Sequence, residues 1–289
     1  MLTVSVSALA VVAQKRNRLL LAFKRKRSVI GWAFFFATYF CFAEPLTRSQ
    51  CEAPSQGAVA AKLAYVIDGD TLKLTSGEKL RLMAVNTPEL ARDSRSEEAL
   101  ALVAKNTVKA FFAEDKRMLL YYGMQKKDRY GRHLAHVYSL DGRNLSAELL
   151  AKGLAAHIVV PPNERFTACY QRQELNARQQ GLGVWRSIYQ TIDATRLTAG
   201  DTGFRVVSGQ VSKVTAYSGG WWLEMGRIAI SIKRSDWQNL PSFDPQLFLG
   251  EQLTLKAWVI DREDSSLVKQ KGYLPFMAHW RHPAMKVHK

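Results

Sequence analysis

Cysteine is scarce: the 289 residues hold three, and Cys41 lies in a strongly apolar stretch. That excludes a small fold stapled by many disulfides. The six histidines and three cysteines form no cluster with zinc-like spacing, which argues against a transition-metal centre. Long apolar runs are missing too. The uncharged stretch "VIGWAFFFATYFCFA" (Val29 to Ala43) is 15 residues long, short of the roughly 20 that span a bilayer. No short repeat or low-complexity tract interrupts the chain, so a solenoid is excluded. Acidic residues are absent from residues 1–43, which carry seven of the 41 basic residues and none of the 25 acidic ones.

Those 43 residues read as an export leader. "KRKR" (Lys24 to Arg27) precedes the apolar run, and Ala43 before "EP" offers a small residue for cleavage. A cleaved signal peptide is expected, with a retained membrane anchor as the alternative. The protein would then be periplasmic or secreted, or else tethered facing outside the cytoplasm. Cleavage would leave Cys51 and Cys169 as a pair in an oxidising compartment. A disulfide is expected there, and closing so long a loop is worth about 4–5 kcal/mol in the chain-entropy treatment.

Hydrophobic residues at 47% and aromatics at 10% argue for packed globular structure. Outside the leader 34 basic residues face 25 acidic ones, a balance that favours a polyanionic partner. Residues 44–57 read as a linker. Strand-like runs follow at Val59–Ile67, Thr71–Thr75 and Lys79–Val85, then helical spacing over Ser94–Glu114. Strands at Met118–Tyr122 and Leu134–Tyr138 flank the charged loop "KKDRYGR", and helices are expected at Leu145–Lys152 and Glu164–Gln180. About five short strands with inserted helices suit an OB-type barrel over 58–186, mainly β with helices. Residues 187–203 show no strong period and read as a second linker. Residues 204–289 carry five strand candidates and read as a small all-β domain, OB-like in pattern. It is mildly basic and rich in tryptophan (Trp221, Trp222, Trp237, Trp258), which suits a surface for single-stranded nucleic acid.

Chemistry concentrates in "YVIDGDTLKL" and "RLMAVNTPE". Asp68 and Asp70 alternate with Gly69 at one strand end; Asn86, Thr87 and Glu89 lie at another. If those ends meet, the donors are all oxygen, the mixture a hard cation such as Ca²⁺ takes. Arg81 and Arg132 add two guanidiniums, which grip phosphate oxygens bidentately. A carboxylate, a divalent ion and arginines cover the needs of phosphodiester hydrolysis. Taken singly, each residue has a plainer reading, since Asp-Gly-Asp is more often a turn than a metal site.

The ordered segments "IDGDTLKL", "LRLMAVNTPE", "DRYGRHLAHVY", "LLAKGLAAHI" and "GLGVW" resemble the staphylococcal nuclease (thermonuclease) family over about Val59–Trp185. The resemblance implies an OB-type barrel and Ca²⁺-dependent hydrolysis of DNA and RNA, as an endonuclease leaving 3′-phosphate ends. It assigns Asp70, Asn86 and Thr87 to the metal, Thr87 through its carbonyl, with Asp68 just behind them. Glu89 would position or activate the attacking water. Arg81 and Arg132 would stabilise a phosphorane-like transition state. Asn86 departs from the family pattern, which has Asp there; losing that charge should weaken the metal. A catalytically weak or inactive nuclease-fold protein that binds nucleic acid is the alternative. Tyr130 and Tyr122 are candidates to stack on a base, and Lys127 to steer phosphate. No obligate protein partner is evident, and a monomer is expected.

Overall fold

The computed structural model describes residues 51–91, 96–237 and 244–287, so the expected leader and the start of the first expected linker lie outside the described residues. Among the described residues no helix is long and apolar enough to cross a membrane.

The first half contains β1 (Val59–Asp68), β2 (Thr71–Leu74), β3 (Lys79–Leu82), β4 (Val85–Asn86), α1 (Ala101–Phe111), β5 (Arg117–Lys127), β6 (His133–Tyr138), α2 (Leu145–Ala151), β7 (Ala156–His157) and α3 (Thr167–Gln179). Five of these strands close a barrel in the order β1-β2-β3-β6-β5. Neighbours run antiparallel except β3 and β6, which pair in parallel. Closure leaves the barrel no free edge. Its interior is filled by alternate residues, including Leu72, Leu80, Leu82, Met118, Leu120 and Val137. β4 pairs with β7 outside the barrel.

The helix expected from Ser94 begins only at Ala101. Leu100 takes a left-handed conformation (φ 71°), and Glu98 bonds back to Glu89 instead of continuing the helical ladder. α2 begins cleanly because the Asn144 side chain accepts from the Ala147 N–H.

Cys51 and Cys169 are joined by a disulfide with Cα atoms 5.6 Å apart. Part of the first expected linker is thereby packed down. Cys51 is buried, its carbonyl accepts from the Tyr138 hydroxyl, and the Pro54 carbonyl accepts from Tyr121.

The second half supplies β8 (Thr191–Asp193), β9 (Gly203–Gln210), β10 (Lys213–Tyr217), β11 (Gly220–Met225), β12 (Ile228–Lys233), α4 (Arg234–Trp237), β13 (Gln252–Asp261), α5 (Ser266–Lys271) and β14 (Phe276–His279). They form a seven-stranded sheet ordered β10-β11-β12-β14-β13-β9-β8, where five strands were expected. The additional edge strand β8 comes from residues 187–203, the stretch read as a linker. Its apolar residues follow no period because it alternates between short 3-10 turns and one short strand. Even so, Tyr189, Ala194 and Leu197 are buried.

These residues join the two halves. One core cluster runs from Ala156, Ile158 and Val184 of the first half, through Tyr189 and Leu197, into Phe204, Val206, Leu255 and Ile230 of the sheet. Lys256 of β13 is fully buried against Glu174 of α3 at 2.5 Å, and the other Glu174 oxygen accepts the His157 N–H. Neither charge is exposed to water, so removing either partner would strand the other at a cost of about 3–5 kcal/mol.

Candidate active site

The question raised by Asp68-Gly69-Asp70 is answered by packing. Gly69 is not in the left-handed region; a Cβ there would lie 2.8 Å from Thr87 Oγ1 and 2.9 Å from Ala104 Cβ. Only glycine lets the β1–β2 turn press against Thr87 and α1, and that contact brings the two acidic segments together. Asp68, Asp70, Asn86 and Thr87 are all buried.

Asp70 is the hub. Its Oδ1 accepts from the Thr71 hydroxyl at 3.0 Å. Its Oδ2 accepts the Thr87 N–H at 3.2 Å and pairs with Arg81 Nη2 at 2.9 Å. Arg81 stands opposite Thr71 in the β2–β3 ladder. Its Nη1 donates to the Leu82 and Val85 carbonyls, both at 2.8 Å. Three anchors thus fix the guanidinium beside the acids. The parallel β3–β6 pairing sets Leu80 against His133 and so carries the preceding Arg132 to the same barrel end. Arg132 Nη1 donates to Thr71 Oγ1 at 3.4 Å, completing a chain from Arg132 through Thr71 and Asp70 to Arg81.

Asp68 sits behind this chain. Its Oδ1 accepts the Asp70 N–H at 3.2 Å, and its carboxyl is raised to about 6, by burial first and then by the Asp70 charge. Glu89 pushes in the same direction, so three carboxylates share one field. Asn86 Nδ2 donates to the Tyr189 hydroxyl at 3.2 Å. Its Oδ1 lies 3.5 Å from Arg81 Nη2, so the amide oxygen faces the charged side of the site. The donors Asp70, the Asn86 amide oxygen and Thr87 are all oxygen, and burial has crowded anionic groups beside them. That combination fits a hard divalent cation.

Several contributors have no sequence signal in those segments. Glu98 accepts the Glu89 N–H at 3.0 Å through one carboxylate oxygen, and its other oxygen pairs with Arg205 of β9 at 3.1 Å. Arg205 is 107 residues away and Tyr189 lies 103 residues from Asn86, distances no local pattern reveals. Asp128 could have been found, since an acid four residues before Arg132 flanks a tight turn. It binds Arg132 Nε at 2.7 Å. Burial pulls the Asp128 carboxyl upward, but hydrogen bonds from Arg132 outweigh it and hold it below its usual value.

The substrate candidates divide. Tyr130 is 69% exposed, with the Arg129 and Arg132 guanidiniums 4.7 and 5.6 Å from its ring centre. Lys127 is exposed at the end of β5. Tyr122 packs against the barrel core and edge-on to His133 at 5.7 Å, and burial raises its hydroxyl pKa. Among the described residues, neither Tyr122 nor Lys127 enters the Arg132–Thr71–Asp70–Arg81 chain.

Known proteins resemble part of this chain in sequence. The family model for staphylococcal nuclease homologues matches residues 79–187. The thermonuclease of Staphylococcus intermedius is 32% identical over 123 residues, covering 42% of this chain and 72% of that protein. Endonuclease YncB of Bacillus subtilis is 31% identical over 131 residues, 44% of this chain and 62% of its own length. The SPbeta prophage-derived endonuclease YokF of the same organism is 29% identical over 131 residues, 44% of each chain. The family match ends before β8, so the seven-stranded sheet lies beyond it. With the closed barrel and the matched span in hand, the chain belongs to the staphylococcal nuclease homologues and is a hydrolase of nucleic acid.

Proposed function

We propose that this protein is an exported, Ca²⁺-dependent nuclease that cuts DNA and RNA and leaves 3′-phosphate ends. The observation that supports it best is the continuous chain Arg132–Thr71–Asp70–Arg81 beside the Asp68 and Glu89 carboxylates. Asp70, the Asn86 amide oxygen and the Thr87 carbonyl would hold the ion, which supplies positive charge against the anionic phosphate.

Glu89 is the general base. Glu98 holds its backbone N–H, and its carboxylate accepts a proton from water as the water attacks phosphorus. Arg81 stabilises the charge that develops on the phosphoryl oxygens. Its Nη1 bonds to backbone carbonyls fix it before substrate arrives, so little reorganisation is needed during reaction. Arg132 acts at the leaving oxygen. Asp128 orients it through Nε, Thr71 through Nη1, and Nη2 stands outside both bonds. Tyr130, held under two guanidiniums, stacks on a base beside the scissile bond.

The disulfide supports an oxidising compartment. There, extracellular-type modules bind Ca²⁺ at roughly 10⁻⁴–10⁻³ M, an affinity a neutral Asn86 can meet. The test is cleavage of DNA and RNA by the purified protein with Ca²⁺ or with EGTA, followed by end-group analysis. Cleavage only with Ca²⁺, giving 3′ ends that need phosphatase before a polymerase extends them, is expected. Binding without cleavage under any divalent cation would favour the inactive binding-protein reading.

A further inference from the structure

The outer face of the seven-stranded sheet does two jobs along its length. Cross-strand register places Trp258 opposite Phe204 and Lys256 opposite Val206. This part turns to the nuclease half, where Phe204 meets Tyr189 and Lys256 meets Glu174. Two residues beyond Trp258 on the same face of β13, Ile260 pairs with Met277 and Met277 with Ala229. Ser231 pairs with both His279 and Trp222, and Trp222 with Thr215. These side chains share one surface, on which Ala229 and Ser231 are buried while Trp222, Met277 and His279 are half-buried.

That part carries flat rings around a guanidinium. Tyr217 and Trp222 stack with centres 5.6 Å apart. Arg262 lies 5.5 Å from the Trp222 ring and 5.7 Å from the Tyr273 ring, and Tyr273 is 46% exposed. The fold does not need these rings for its core. The inner face is already filled by Leu223, Met225, Ile230, Ile232 and Phe276. Arg262 is held by Nε on the Leu274 carbonyl, while its Nη2 is buried with no hydrogen-bond partner among the described residues, an unusual state for a guanidinium. The charge nearby is of both signs: Arg281, Lys233 and Asp236 all act on His279, and Glu224 is paired with Lys213 at 3.3 Å.

Flat rings with a cation between them match a ligand that offers unstacked bases and a phosphate backbone. We propose that this surface binds single-stranded nucleic acid, with bases on Trp222 and Tyr273 and a phosphate at Arg262, and holds long strands for the nuclease half. A duplex keeps its bases inside and would offer only phosphates. The binding does not depend on the hydrolytic mechanism, so it is measured without turnover.

The test uses the full chain in EGTA with a fluorescent single strand of about 15 nucleotides, near the upper range one small β barrel covers. Anisotropy should show Trp222→Ala and Tyr273→Ala weakening the strand roughly 5- to 100-fold each, the loss expected for one stacking contact. Trp222→Phe should keep most of the affinity, and inorganic polyphosphate, which has no bases, should bind Trp222→Ala as it binds wild type. With Ca²⁺ present, KM for long strands should rise in Trp222→Ala at unchanged kcat, while a dinucleotide substrate is cut as before. Equal strand affinity in wild type and both alanine variants would overturn the proposal. So would an equal loss for polyphosphate, or tighter binding of duplex than of single strand.

Discussion

In the proposed mechanism, Asn86 sets how tightly the site would hold a cation. Barrel closure brings Asp68, Asp70 and Arg81 together on β1–β3, as their order in the sequence suggested, and β4, which follows β3 outside the barrel, adds Asn86 beside Arg81. The spacing did not disclose that Tyr189 would hold the Asn86 amide. Nor did it disclose that Gly69 serves close packing rather than a left-handed turn. Restoring a charge at position 86 adds a fourth carboxylate to a cluster in which Asp68 is already driven up to about 6. Asn86→Asp should therefore bind Ca²⁺ more tightly, by roughly ten-fold across the affinity range that ligand charge tunes. Calorimetric titration without substrate checks this; superimposable Ca²⁺ isotherms for the two proteins would count against Asn86 as a metal neighbour.

At the scale of elements, the loop between β4 and α1 is shaped by a partner far along the chain. Helical periodicity from Ser94 onward is real, but Glu98 leaves the helix to accept the Glu89 N–H and to meet Arg205. A long-range ion pair overrides local propensity here, which is why the helix starts late. The sheet beyond the matched family span thereby braces the segment that carries the proposed general base. Arg205→Gln should lower kcat roughly 10- to 100-fold, as expected for a misplaced reacting group, with little change in KM or in the unfolding midpoint. Arg205→Lys should recover part of the loss. A Gln variant with wild-type kcat would show that Glu98 holds the loop unaided.

At the scale of the whole molecule, the two halves share one hydrophobic cluster and one buried ion pair, so the stretch 187–203 works as packed structure rather than tether. Sequence periodicity conveys which residues are apolar; it does not convey that a period-free stretch will be buried by a partner sheet. Burial also sets the acid response. His136 is held down to about 3 by burial and then by the Arg165 charge; His157 falls well below its usual value through burial and then Lys256. Both stay neutral in the folded state and gain protons near 6.5 only on unfolding. Stability is therefore full above pH 6.5 and falls below it, by up to about 1.4 kcal/mol per pH unit for each histidine. Urea unfolding at pH 7.5 and 5.5 should show the loss, and a flat profile would contradict it. The proposed hydrolysis depends most on the Glu89 carboxylate, which the braced loop carries. Single-turnover cleavage of a labelled strand in saturating Ca²⁺ should fall about 10²- to 10⁴-fold in Glu89→Gln, the usual contribution of a positioned base, with strand affinity in EGTA unchanged. Cleavage by Glu89→Gln at the wild-type rate would contradict the proposed mechanism directly.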